Sequence, residues 1–169
     1  MGENSARLNS LVAGAMIASP KMAHSQGIPN LRGTWRLVSF EARDSKGQLQ
    51  YPLGKHVFGL LMYDAGGNMS AHVMRNDRPL FAASDPDRGT DAEVRAAFEG
   101  HASYFGTYTI DLATQTVTHH VRGAWYPNWI GSDQIRYFKF DGSRLLLSTP
   151  PLVSGGESLE YVLTWERIS

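Results

Sequence analysis

The sequence predicts an all-β protein: an eight-stranded, up-and-down antiparallel barrel with one short inserted helix. Three observations carry that expectation. From Leu31 onward, short runs alternate apolar and polar residues with the period of half-buried strands. Compact turns, most of them containing glycine, separate the runs, so consecutive strands are expected to pair as hairpins. A single stretch, residues 84–102, switches to helical periodicity. Eight strands are enough to close a small barrel, and closure removes the edges along which sheets aggregate.

The elements follow in chain order. Residues 1–30 form a leader distinct from the rest. Arg7 precedes the apolar run Leu11 to Ala18, and the small-residue pattern Ala23-His24-Ser25 follows, as in a secretory signal peptide cut after Ser25. Against this, Glu3 offsets the positive end, and Pro20 follows an apolar run of barely eight residues. The expected location is periplasmic or secreted if the leader is a signal, and cytoplasmic otherwise. Residues 31–169 form the barrel domain. "GTWRLVSFEA" (33–42) is the first strand, closed by the turn "DSKG". "VFGLLMYD" and "NMSAHVMR" flank Ala65-Gly66-Gly67, where positive φ costs little. In the helical stretch, Thr90 or Asp91 caps a helix from near Ala92, and Gly100 stops it. Val94, Ala97 and Phe98 share one face of this helix, which is expected either to lie over a barrel mouth or to pack on the surface. "ASYFGTYTIDL" and "TVTHHVRGAW" flank Ala113-Thr114-Gln115, two further strands meet at Asp141-Gly142, and "SLEYVLTWERI" is the last.

Composition narrows the function classes. Sixteen basic and sixteen acidic side chains cancel, which is unlike the basic footprint of a nucleic-acid binder. No segment is long and apolar enough for a membrane-spanning helix. The chain has no cysteine, which excludes disulfides, thiolate metal sites and cysteine nucleophiles. No nucleophile elbow, phosphate loop, dinucleotide fingerprint or compact metal-ligand spacing occurs. Most acids lie in turns, so chemistry that needs paired inward carboxylates is disfavoured. No cofactor and no metal is expected.

Gly33-Thr34-Trp35 at the start of the first strand resembles the Gly-x-Trp signature of lipocalins and related calycins. Together with "GLLMYDAGGNMSAHVMR", "YFGTYTID", "VTHHV", "PNWIGSDQIRYFKFDGSRLLLSTPP" and "LTWER", it makes residues 31–168 similar to the lipocalin-like domain family of small bacterial and fungal proteins. The resemblance implies that Trp35 plugs one end of the barrel and that Arg167 packs over its ring. It also implies a barrel that holds a small apolar molecule. Some related barrels have become cofactor-free cyclases or isomerases, so the resemblance is specific for fold rather than activity.

Strand alternation then selects candidate site residues. Val117, His119, Val121 and Trp125 share one face, and Thr118, His120, Arg122 and Ala124 the other. The adjacent histidines therefore point to opposite sides and make a poor metal pair. His119 is expected inside and His120 outside. Tyr104 and Tyr108 share a face, as do Arg136, Phe138 and Phe140. "AWYPNWIG" makes the following loop, whose Tyr126 and Trp129 either line the mouth or cover the flank. The expected ligand contacts are Tyr104, Tyr108, His119, Trp125, Arg136 and Phe138, around a small apolar molecule with one acidic or carbonyl group. If the protein is instead a cofactor-independent isomerase or cyclase on a polyketide-like substrate, His119 is the proton carrier and Arg136 the anion stabiliser. Each residue also has a plain structural role open to it, as core histidine, ring cap or packing residue.

Overall fold

A computed structural model describes residues 30–169; the expected cleavage after Ser25 lies outside the described residues. Eight long antiparallel strands close a barrel: β1 (Gly33–Asp44), β3 (Val57–Tyr63), β4 (Asn68–Arg75), β5 (His101–Asp111), β6 (Thr116–Ala124), β7 (Asp133–Asp141), β8 (Arg144–Ser148) and β10 (Glu157–Arg167). Each pairs with the next in order, and β1 closes the sheet against β10, from Trp35↔Arg167 to Asp44↔Leu159. Two short strands, β2 (Leu49–Gln50) and β9 (Leu152–Ser154), extend β1 and β10 at one end. At two and three residues they are too short for alternation to reveal.

The barrel has unlike ends. Gly33 pairs with Tyr63, so the β3–β4 turn lies beside the start of β1. The β5–β6 and β7–β8 hairpins reach the same end. Trp35 fills this end, wholly buried, and its Nε1 donates to the Leu31 carbonyl at 2.9 Å. The Arg167 guanidinium lies 4.1 Å above the Trp35 ring, a cation–π contact, and donates to the carbonyls of Arg32 and Asn30. Gly33 has φ +129°, and a Cβ there would stand 2.3 Å from the Ser169 carbonyl oxygen. Glycine is therefore required beside the tryptophan by both backbone conformation and space.

At the other end, the loops before β3, between β4 and β5, between β6 and β7, and around β9 surround an opening. Helix α1 (Asp91–Glu99) belongs to the second of these. Thr90 caps it in a reciprocal capping box with Glu93, whose carboxylate also accepts from the Ala82 N–H at 2.7 Å. Those contacts hold Glu93 below the usual carboxylate range, chiefly through the Ala82 and Thr90 backbone donors. Phe98, near the end of α1, stacks on Trp125 at 4.3 Å between centroids, and Trp125 Nε1 donates to the Phe98 carbonyl at 3.0 Å. The helix is thus fastened across the rim of the mouth by its last turn. Among the described residues, no helix is long and apolar enough to cross a membrane.

Candidate functional site

A cavity of about 800 Å³ opens at the helix-bearing end, within the roughly 300–1,000 Å³ of small-molecule sites. Inward-facing residues of several strands make its walls: Leu61 and Ala71 low down, Phe40, Leu147, Leu163 and Trp165 along the sides. Phe98, Trp125, Tyr126 and Trp129 surround the mouth. These four form a continuous aromatic set, with Trp125–Trp129 centroids at 6.1 Å and Tyr126–Trp129 at 6.0 Å. The loop that carries Tyr126 and Trp129 is a 3-10 turn, Pro127–Trp129, started by proline at its first position. That turn brings Trp129 back over the opening, where its ring meets Tyr104 edge-on at 5.7 Å.

One side of this apolar chamber is polar. His119, on β6, is 1 % exposed and among the most buried side chains of the barrel. Both its ring nitrogens face tyrosine hydroxyls: Nε2 lies 2.6 Å from Tyr63 Oη and Nδ1 2.8 Å from Tyr104 Oη. Tyr63 ends β3 and is buried below the cavity, whereas Tyr104, on β5, lines it. Burial, reinforced by the positive charge of Arg136 and by His120, holds His119 well below the ordinary histidine range. The ring is therefore neutral at physiological pH. Burial, then Tyr104, pushes the Tyr63 hydroxyl well above the ordinary tyrosine range, so it keeps its proton.

Arg136 lines the same side, one strand over, with Val117 as its cross-strand partner. Its guanidinium donates to the Ile135 carbonyl at 2.8 Å and to Gln134 Oε1 at 3.4 Å. Among the described residues, no carboxylate forms an ion pair with Arg136, and no aspartate or glutamate lines the cavity. A guanidinium beside an apolar chamber with unused donors favours an acceptor or anion brought by a guest. The indole N–H of Trp165, in the wall, is buried with no acceptor among the described residues.

Of the residues singled out in the sequence, His119, Tyr104, Arg136 and Trp125 come together around the cavity. Tyr108 and Phe138 lie apart from it. Tyr108 packs edge-on against Tyr63 at 4.7 Å, and its hydroxyl donates to the Asp64 carbonyl in the turn at the closed end. It stands four residues from Tyr104, about 13 Å along the strand. Phe138, 3 % exposed, packs in the core against Phe140. His120 faces outward, with Nδ1 2.7 Å from Asp133. Tyr63, the second partner of His119, is not singled out by sequence reading; its only local signal is that it shares a strand face with Leu61. Among the described residues, no three histidine, aspartate or glutamate side chains are placed to hold a metal ion together.

The chain is 38% identical over 107 residues to the 4'-hydroxy-3'-methoxypropiophenone carrier protein ppsC of Aspergillus oryzae, an alignment covering 59% of this chain and 96% of that one. A crystal structure of a lipocalin-like protein from Bacteroides uniformis aligns over 82% of this chain and 98% of its own, at 14% identity and a TM-score of 0.42. The lipocalin-like domain profile matches residues 32–168, nearly the whole described barrel. The chain belongs to the lipocalin-like domain family.

Proposed function

We propose that this protein binds a small aromatic molecule bearing a carbonyl or acidic group inside the barrel, and carries it unchanged. The observation that supports this most is the composition of the chamber: about 800 Å³, aromatic at the mouth, apolar on most sides, with Tyr104, His119 and Arg136 gathered on one wall. Such a wall suits a guest that is apolar over most of its surface and polar at one oxygen. The relative whose name specifies a propiophenone carrier supports the same reading, since an aryl ketone has that distribution of polarity.

Titration with 4'-hydroxy-3'-methoxypropiophenone, followed by tryptophan fluorescence and calorimetry, tests the reading. Saturable binding at one site is expected, with quenching from Trp125 and Trp129. Arg136→Ala is expected to weaken it about tenfold, the scale of one charge-assisted hydrogen bond. Absence of saturable binding up to the solubility limit overturns the proposal for this ligand class.

A second reading is a cofactor-independent isomerase or cyclase acting on a polyketide-like substrate. The tyrosine–histidine contacts favour a specific form of it. Both His119 nitrogens are already engaged, so Tyr104 is the group that meets the substrate, and His119 acts through it. Recovery of bound material with its structure changed after incubation supports turnover; recovery unchanged supports the carrier.

A further inference from the structure

The His119 contacts have a direction that the distances alone do not display. A neutral imidazole has one donor and one acceptor nitrogen, so one tyrosine must donate to it and the other must accept from it. Tyr63 decides which. Its hydroxyl is buried, and among the described residues its only polar partner is His119 Nε2. If Nε2 carried the proton, the Tyr63 O–H would be left buried with no acceptor. Tyr104 has no such constraint, because its side chain lines the cavity.

We infer that hydrogen bonds run from Tyr63 to His119 Nε2 and from His119 Nδ1 to Tyr104, which leaves the Tyr104 hydroxyl as a committed donor into the cavity. Resting on the carrier reading above, this makes the site selective for a hydrogen-bond acceptor, an aryl ketone being the ligand class that fits. The selectivity is set from Tyr63, which does not itself line the chamber. The same wall offers Arg136 donors and no carboxylate, so nothing there opposes the preference. Tyr63 is accordingly a positioning residue and Tyr104 the contact.

The test pairs propiophenone with propylbenzene, which has the same carbon skeleton and no acceptor. The readout is the ratio of the two affinities in each variant, because the hydrocarbon leaves water more readily in every case. Tyr104→Phe removes the donor. Tyr63→Phe removes the bias on the imidazole: Nε2 then faces a phenyl ring in either tautomer, and the form that takes the Tyr104 proton at Nδ1 competes with the one that donates to it. Tyr104→Phe is expected to lower the ketone-to-hydrocarbon ratio by roughly three- to tenfold, the worth of one neutral hydrogen bond, and Tyr63→Phe by about twofold, the share of the binding-competent tautomer when the two are equally populated. Tyr108→Phe deletes a neighbouring hydroxyl that serves the Asp64 carbonyl, and is expected to leave the ratio unchanged. A Tyr104→Phe ratio equal to that of the wild type overturns the inference.

Nitrogen-15 NMR of the unliganded wild-type protein supplies a test independent of any variant or ligand. A protonated Nδ1 with a bare Nε2 on His119 supports the direction, and a protonated Nε2 overturns it. If neither probe binds, the carrier reading fails for this class, while the tautomer still decides the direction of the chain.

Discussion

The two ends of the barrel use aromatic residues in opposite ways. At the closed end, Trp35 is wholly buried, its N–H is satisfied by Leu31, and Arg167 covers its face. At the open end, Trp125, Tyr126 and Trp129 remain part-exposed and touch one another mainly by ring edges. The closed end is filled by packed side chains and the open end surrounds the cavity, on the same set of strands. His119 sits where the two regions meet, joined to Tyr63 below and Tyr104 above.

The largest effect that can sharpen this division comes from Trp35→Ala. It is expected to lower the unfolding free energy by about 3–5 kcal/mol, the usual cost of deleting a buried large aromatic side chain. Chemical denaturation measures that loss, while ligand affinity of the folded fraction stays unchanged because Trp35 does not line the cavity. A matching loss of affinity would break the comparison.

A smaller effect lies in the pH dependence of stability. His119 has a folded-state pKa depressed by burial. Below about 6.5 the unfolded chain takes up a proton that the folded protein refuses. The contribution of this residue is therefore fully present above that pH and is lost as pH falls toward the depressed folded value. The expected slope is at most about 1.4 kcal/mol per pH unit in that window. Equilibrium unfolding at a series of pH values reads it, and His119→Gln should flatten it.

The smallest effect is expected at the rim. Trp125→Phe keeps an aromatic ring against Phe98 but removes the indole N–H from the Phe98 carbonyl. One such bond is worth about 1 kcal/mol, so ligand release followed by stopped-flow fluorescence should quicken a few-fold. Global stability should change by less than the Trp35→Ala loss by a wide margin.

The strand pattern was legible because alternation is a local property. Thr90 and Gly100 marked the helix as well, through capping chemistry confined to a few residues. His119 and His120 fell to opposite faces for the same reason. Alternation reports the face of a strand and says nothing of depth along the barrel. Tyr104 and Tyr108 share a face, yet one lines the chamber and the other braces the closed end. Phe138 likewise shares a face with Arg136 and lies in the core. Tyr63 was invisible for a different reason: its partner is 56 residues away, and only the barrel's curvature brings the two together. The cavity itself is a property of the closed sheet, with no signature in any one strand.

The β1–β10 pairing joins residues about 130 positions apart in the chain, and it has a consequence for how the molecule is made. During synthesis, seven barrel strands can emerge and pair with their neighbours before β10 leaves the ribosome. Until then β1 and β8 are bare edges, open to pairing with another nascent chain. Closure is the step of longest sequence separation, and such pairings are slow. A chaperone that shields those two edges until the final segment arrives acts on the vulnerable interval, and a ribosome stalled before residue 157 extends it.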